Sequence, residues 1–551
     1  MKKSHLLSLT SIVAIILSVT PAQNALAQNT SGTNRGTQGN NGQTGSSNNQ
    51  FSGAVDPGLR GGPPGAGSPV GGLTAAQQAF FTAAQARFNV IETVPAGLGP
   101  GFNELSCGAC HGFPAVGGSS PTTNPQVTDA NTDGATNVIP SFITANGPIR
   151  EARFVLNPDG TPDGSVHDLF SIQGRSDAPG CVFPQPNFAA QLSANNVIFR
   201  IPPPTFGDGL VEMVSDSNLQ SAVAGQAQQN ASLGITGQFN RSGNTGNVTR
   251  FGWKAQNASM MMFAGEAYNV EEGVTNDMFP EKRNDPTPQC APNPLPEDTV
   301  NTVDSINSES TVSDNTPDTL NFALFMRLLA PPTPAVPLST SSTALSTTAS
   351  TTSATASSIT SSTSTNTSST STATSTTPTS TTVATASALP TAAASSGSPT
   401  STAATSSSST SSASSAASIN AGLQAFMNVG CGGCHIMNQT TVSAALIDTT
   451  ANSTVSSITI NPFSDFAVHN MGTGLADGVS QGNANGTQFR STPLWGIGQR
   501  VYFLHDGRTN SLLTAIEQHA SSGSEANQVI SAFNMLNTAD QQNILNFLRD
   551  L

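Results

Sequence analysis

The sequence predicts a mainly α-helical protein: two ordered blocks with long irregular loops, joined by a disordered Ser/Thr-rich linker. Three observations predict it. Cys107-Gly-Ala-Cys110-His111 and Cys431-Gly-Gly-Cys434-His435 are both C-x-x-C-H runs, one in each block. Helical spacing leads into each run and closes the chain. Residues 28–73 and 331–418 hold too few large apolar side chains to offset the entropy of ordering them. C-x-x-C-H is the attachment signature of a c-type haem. Its two thiols add across the vinyl groups and the adjacent histidine ligates the iron. The blocks therefore read as two class I cytochrome c-like domains with two covalently bound haem c groups. A redox C-x-x-C and half a zinc site are the other readings of such a run. Zinc needs four ligands, and no second cysteine pair lies near either run.

Residues 1–27 read as a signal peptide: Lys2 and Lys3 open it, 6–19 is apolar, and Ala25-Leu26-Ala27 resembles a cleavage site. The apolar run is too short to span a bilayer. C-type haem is attached outside the cytoplasmic membrane, so a periplasmic or otherwise exported protein with no membrane span is expected.

Residues 28–73 read as disordered and 74–330 as the first haem domain. In the latter, a helix over 75–89 leads through a Gly/Pro-rich turn to Cys107. From 121 to 331 the chain is rich in Pro, Gly and Asn with little strand signal, which predicts irregular loops around short helices. Cys181 and Cys290 remain after haem attachment; in an oxidising compartment they are expected to pair, two free thiols being the alternative. The linker, 331–418, is dominated by Ser, Thr and Ala. In the second haem domain, 419–551, a helix over 419–429 stops at Gly430 just before Cys431. A closing helix carries Ile544, Phe547, Leu548 and Leu551 on one stripe, with Thr538 as its expected N-cap.

The net charge of −14 reflects 19 Lys and Arg against 33 Asp and Glu. No basic stripe is visible, which excludes a nucleic-acid reader. An acidic surface serves solubility first and could steer a small basic electron donor second.

Several runs outside the haem motifs occur in a recognisable order. They are Gly174-Arg-Ser-Asp-Ala-Pro-Gly-Cys181, Phe206-Gly-Asp-Gly-Leu-Val-Glu212, Arg250-Phe-Gly-Trp-Lys-Ala-Gln256, Glu271-Glu-Gly-Val-Thr-Asn276, Asp465-Phe-Ala-Val-His469-Asn-Met-Gly472, Phe489-Arg-Ser-Thr-Pro-Leu-Trp-Gly496 and Tyr502-Phe-Leu-His505-Asp-Gly-Arg508. With the two C-x-x-C-H motifs, they resemble the bacterial dihaem cytochrome c peroxidase superfamily. The nearest likeness is its dihaem oxidoreductase branch, sometimes labelled thiol oxidoreductase.

The resemblance implies site residues. His111 and His435 are the proximal iron ligands. His519, placed like the family's axial ligand fourteen residues past the H-D-G histidine (519 − 505), is the sixth ligand of the second haem, with Met471 and Met437 as alternatives. A peroxidatic haem needs an open iron position and a group that moves a proton between the peroxide oxygens. In the superfamily that group is a Glu downstream of an inter-haem Trp. Here Trp253 is that tryptophan, with core packing as its other reading. Glu271 is the first candidate for the base, then Glu272 and Glu266. His505 is expected to bond a propionate or shape its turn, while the roles of His167 and His469 stay open. A calcium ion between the domains is also implied.

These readings converge on an exported dihaem oxidoreductase. It would take electrons from a small redox protein (cytochrome c or cupredoxin) and reduce peroxide or another small-molecule oxidant. A non-catalytic dihaem electron carrier is the alternative.

Overall fold

The computed structural model describes residues 53–338 and 415–551, except 64, 100, 127, 129–131, 133, 135, 137, 164–166, 169–175, 177–184, 281–316, 442–443, 446–453 and 456. Cys181, Cys290, the signal peptide, most of the Ser/Thr-rich linker and the side chain of His167 lie outside the described residues. Helix is the dominant element, with only short strands beside it. No helix among the described residues is long and apolar enough to cross a membrane.

The first core is a three-helix arrangement. Thr74 and Gln77 form a reciprocal capping box that starts the helix Ala75–Phe88, whose Phe80, Phe81, Ala84 and Phe88 are buried one turn apart. That face meets Asp318–Leu328: the rings of Phe81 and Phe88 lie 5.4 and 4.9 Å from Phe325. The Asp318–Leu328 helix is buried along nearly its whole length, and its other side receives Met260–Glu271, with Tyr268 edge-on to Phe322 at 5.1 Å. The C-terminal end of Met260–Glu271 is thereby fixed, which matters for the site.

A three-stranded antiparallel sheet adds structure that composition did not announce. Glu151–Phe154 is central, flanked by His167–Asp168 and Val197–Arg200, with Ala152 opposite Asp168 and Phe199. Strands of two to four residues are too short to display the alternation that marks a strand in sequence.

In the C-terminal part, Ala416–Asn428 crosses Thr538–Asp550. The crossing is close because Gly422 faces it; a Cβ there would lie 1.9 Å from the Asn543 carbonyl oxygen. The last helix is capped one residue earlier than its sequence suggests. The Asn537 side chain accepts from the Asp540 amide, and Thr538 is the first helical residue.

Two further expectations change. Residues 53–73 fall in a stretch read as disordered, yet Asp56 accepts from Arg549 Nε and Nη2 at 2.7 and 2.8 Å and from the Leu512 amide at 2.6 Å. Val70 is buried against the first core. Polar anchors and a few apolar residues, Ala54 and Val70 among them, hold a segment whose composition alone could not. The two blocks also share cores. Ile460, Phe466 and Trp495 enter the first, Ala54 and Ile235 the second, and 53–551 forms a single compact unit.

Candidate functional site

The first C-x-x-C-H run folds as a single helical turn, Cys107–Cys110, capped by Ser106 and ending at His111. Both cysteines and the histidine line a cavity whose empty volume, counted with the space open to solvent, is about 1200 Å³. His111 Nδ1–H donates to the Gly118 carbonyl at 3.1 Å, which orients the ring. Burial pushes His111 down and keeps it neutral. Burial, aided by nearby carboxylates, pushes both thiols well up.

Glu271, Glu272, Glu266 and Trp253 line the same cavity. They differ in what they touch. Glu271 Oε2 accepts from Asn103 Nδ2 at 2.5 Å, and the Asn103 amide donates to the Glu271 carbonyl at 2.7 Å, so the 103 loop clamps the helix end. Glu272 is turned to the Cys107 thiol at 3.2 Å. Glu266 accepts from Asn257 at 2.9 Å. Arg150, Arg153 and Arg200 bring positive charge to the wall; Arg153 pairs with Glu151 and Arg200 with Asp477.

The second run begins at Gly430, whose φ of 102° permits the sharp exit from the Ala416–Asn428 helix. Cys431, Cys434 and His435 line a second cavity, of about 1300 Å³. His435 Nδ1–H donates to the Phe463 carbonyl at 2.9 Å, and burial pushes His435 down to about 4. His519 lies on the same wall, its Nδ1–H donating to the Ala515 carbonyl at 2.7 Å, and its charge would act directly on His435. Met471 also lines this cavity, whereas Met437 packs into the second core.

The remaining histidines acquire definite surroundings. His469 sits between Asp465 (3.0 Å) and Glu525 (3.1 Å); despite its burial, Asp465 and then Cys434 hold it well above the usual imidazole range. His505 is stacked on Phe489 at 4.3 Å and edge-on to Trp253 at 6.5 Å. Burial, with Arg200, Arg508 and Lys254 nearby, pushes it well below that range. The H-D-G run does form a turn, with positive φ at Leu504 and Gly507.

Trp253 lines both cavities. Its Nε1–H donates to the Ile201 carbonyl at 2.8 Å, and its own carbonyl accepts from the Arg490 amide at 2.9 Å. Sequence reasoning missed Asn103, Arg490 and Arg500. Nothing local in the sequence marks the last two: Arg490 stands among Gln, Ser and Thr, and what sets both apart is the buried surroundings the fold gives them. Among the described residues, no group of three or more His, Cys, Asp and Glu side chains gathers as a separate metal-ion site.

Each cavity thus presents two thiols, an imidazole held by a carbonyl and an apolar wall, a donor set that fits a haem. Fold and site define a class, a mainly helical protein with paired cofactor cavities meeting at one tryptophan. Residues 333–551 match the family model described as "Di-haem oxidoreductase, putative peroxidase". The match supports the family drawn from the sequence motifs, and with it the oxidoreductase class and haem as cofactor. No curated protein and no solved structure gives a significant match.

Proposed function

We propose that the chain is an exported oxidoreductase with two covalent haem c groups that reduces peroxide or a related small oxidant with electrons from a small redox protein. The observation that carries this reading is Trp253, a single oxidisable side chain on the wall of both cavities. Cys107, Cys110 and His111 would hold one haem; Cys431, Cys434, His435 and His519 would hold the other. When bound, haem supplies one-electron storage and an iron site for a small oxidant.

The chain's own residues supply the rest. His519 and His435, each with Nδ1 engaged by a carbonyl, offer two imidazole nitrogens to the second cavity and suit it to storing an electron. Glu271, oriented by Asn103, is the carboxylate for holding and returning a proton in the first cavity. Glu272 faces the Cys107 thiol and is the weaker candidate. The signal-like 1–27 segment and the chemistry of haem attachment support export, and the charge of −14 supports a basic donor protein.

One observation favours the electron-carrier alternative: Met326 lines the first cavity, and its thioether could close that site. The test is direct. Mature protein from a haem-attaching host should keep two haems under denaturing conditions and turn over peroxide with a pre-reduced donor. Two haems without turnover, both irons remaining low-spin after reduction, would establish the carrier instead. A mass showing one haem or none removes the proposal.

A further inference from the structure

Arg500 is 7% exposed, lines the second cavity, and has an Nη2 with no hydrogen-bond partner. Its neighbour in charge is another cation, Arg490; burial first, and Arg490 second, push Arg500 down to about 10. Arg490 is 6% exposed and lines the same cavity. Its Nη1 donates to the Arg250 carbonyl at 2.6 Å, while its Nε has no partner. The carboxylate acting on Arg490 is Asp208, itself pushed up to about 7 by burial and so only partly charged near neutrality.

Two buried guanidinium groups on one apolar wall, neither joined to a carboxylate, are costly without an anion. The first cavity shows the contrast, since Arg153 and Arg200 there each have an acidic partner. A guanidinium favours a planar anion that accepts two parallel hydrogen bonds, which is a carboxylate or phosphate. A haem carries two carboxylates, and its vinyl groups are the edge that Cys431 and Cys434 would fix.

We propose that Arg500, with Arg490 beside it, is the anion-binding edge of the second cavity and takes a propionate carboxylate of the haem attached at Cys431 and Cys434. This rests on the reading above that a haem occupies that cavity. Arg500 is then a cofactor-binding residue outside the C-x-x-C-H motif.

The experiment uses the full chain from a haem-attaching host, as wild type, Arg500→Gln and Arg500→Lys. Covalent haem is counted by mass, the second haem's reduction potential is followed against pH, and its propionate bending band is read by resonance Raman. Loss of a cation beside the haem disfavours the reduced state. Arg500→Gln should therefore lower the potential, shift the propionate band, and add a pH-dependent step as the unpaired propionic acid titrates nearer neutrality. Arg500→Lys, which keeps the charge, should recover most of the potential. Loss of the second haem in the Gln variant alone also supports the proposal. Two haems in Arg500→Gln with unchanged potential, pH profile and band would overturn it. So would loss of the second haem in both variants, because Arg500 would then serve packing rather than charge. Wild type lacking a haem at the second motif removes the underlying reading as well, and so separates that failure from this one.

Discussion

A backbone carbonyl holds Nδ1 of each imidazole proposed as an iron ligand: Gly118 for His111, Phe463 for His435 and Ala515 for His519. Those bonds orient the three rings. His519→Ala should therefore convert the second haem from low-spin to high-spin or water-ligated. His519→Met should keep six-coordination and raise the potential, because thioether sulfur favours ferrous iron. An unchanged spectrum in His519→Ala would transfer the role to Met471, which lines the same cavity. For the first cavity, Glu271→Gln should keep both haems and cut peroxide turnover by roughly 10²–10⁴-fold, the usual worth of a positioned acid/base. Glu272→Gln should do little, and a loss confined to that variant would reassign the base. A third residue acts on stability. Asp208 is buried and pushed up from 3.8 to about 7, mainly by desolvation, against the pull of Arg490. Its carboxyl stays protonated in the folded chain while the unfolded chain ionises it, so stability is lost as pH rises from about 4 to 7. Asp208→Asn should leave the melting temperature near pH 4 almost unchanged and raise it at pH 7, with about 4 kcal/mol as the ceiling. Equal gains at both pH values would show that burial of the charge is not the cause.

Helix crossings are set by single residues in this chain. Gly422→Ala would drive a methyl group into Asn543 and Phe547 of the Thr538–Asp550 helix, so overpacking should cost about 1–3 kcal/mol. Gly225, at the end of Asp216–Gly225, has nothing within 4 Å of an added Cβ. Gly225→Ala should be neutral or stabilise by up to about 1 kcal/mol. Thermal melts of the two variants, moving in opposite directions, check the crossing. The elements that sequence revealed are those whose burial repeats at helical steps: Ala75–Phe88, Ala416–Asn428 and Thr538–Asp550 each lie within a few residues of where periodicity put them. The small sheet stayed hidden because its strands are too short to alternate. The ordering of 53–73 stayed hidden because it depends on Asp56 meeting Arg549, 493 positions away. For the site, the C-x-x-C-H runs marked the two thiols and the histidine that line each cavity. Arg500 gave no local signal, since its meaning lies in the partner it lacks.

At the scale of the molecule, the two blocks cannot be treated as beads on a string. Ile460, Phe466 and Trp495 are buried in the first core although they lie in the C-terminal block. Residues 415–551 made alone should therefore expose them and either bind a hydrophobic dye or aggregate; a soluble, cooperatively melting fragment would contradict this. The same interlocking brings both cavities to Trp253. Its indole is held on two sides, by its Nε1–H to the Ile201 carbonyl and by the His505 ring, while its backbone is tied to Arg490. Each restraint comes from a segment that also lines one of the cavities. Trp253→Phe keeps an aromatic of similar shape but loses the Nε1–H bond and the easily oxidised indole. If electrons cross between the haems through this side chain, both haems and their resting spectra should survive the change. Transfer from a flash-reduced second haem to the first should slow, and peroxide turnover should fall with it. A Trp253→Phe protein that transfers electrons at the parent rate would leave the indole with a packing role only.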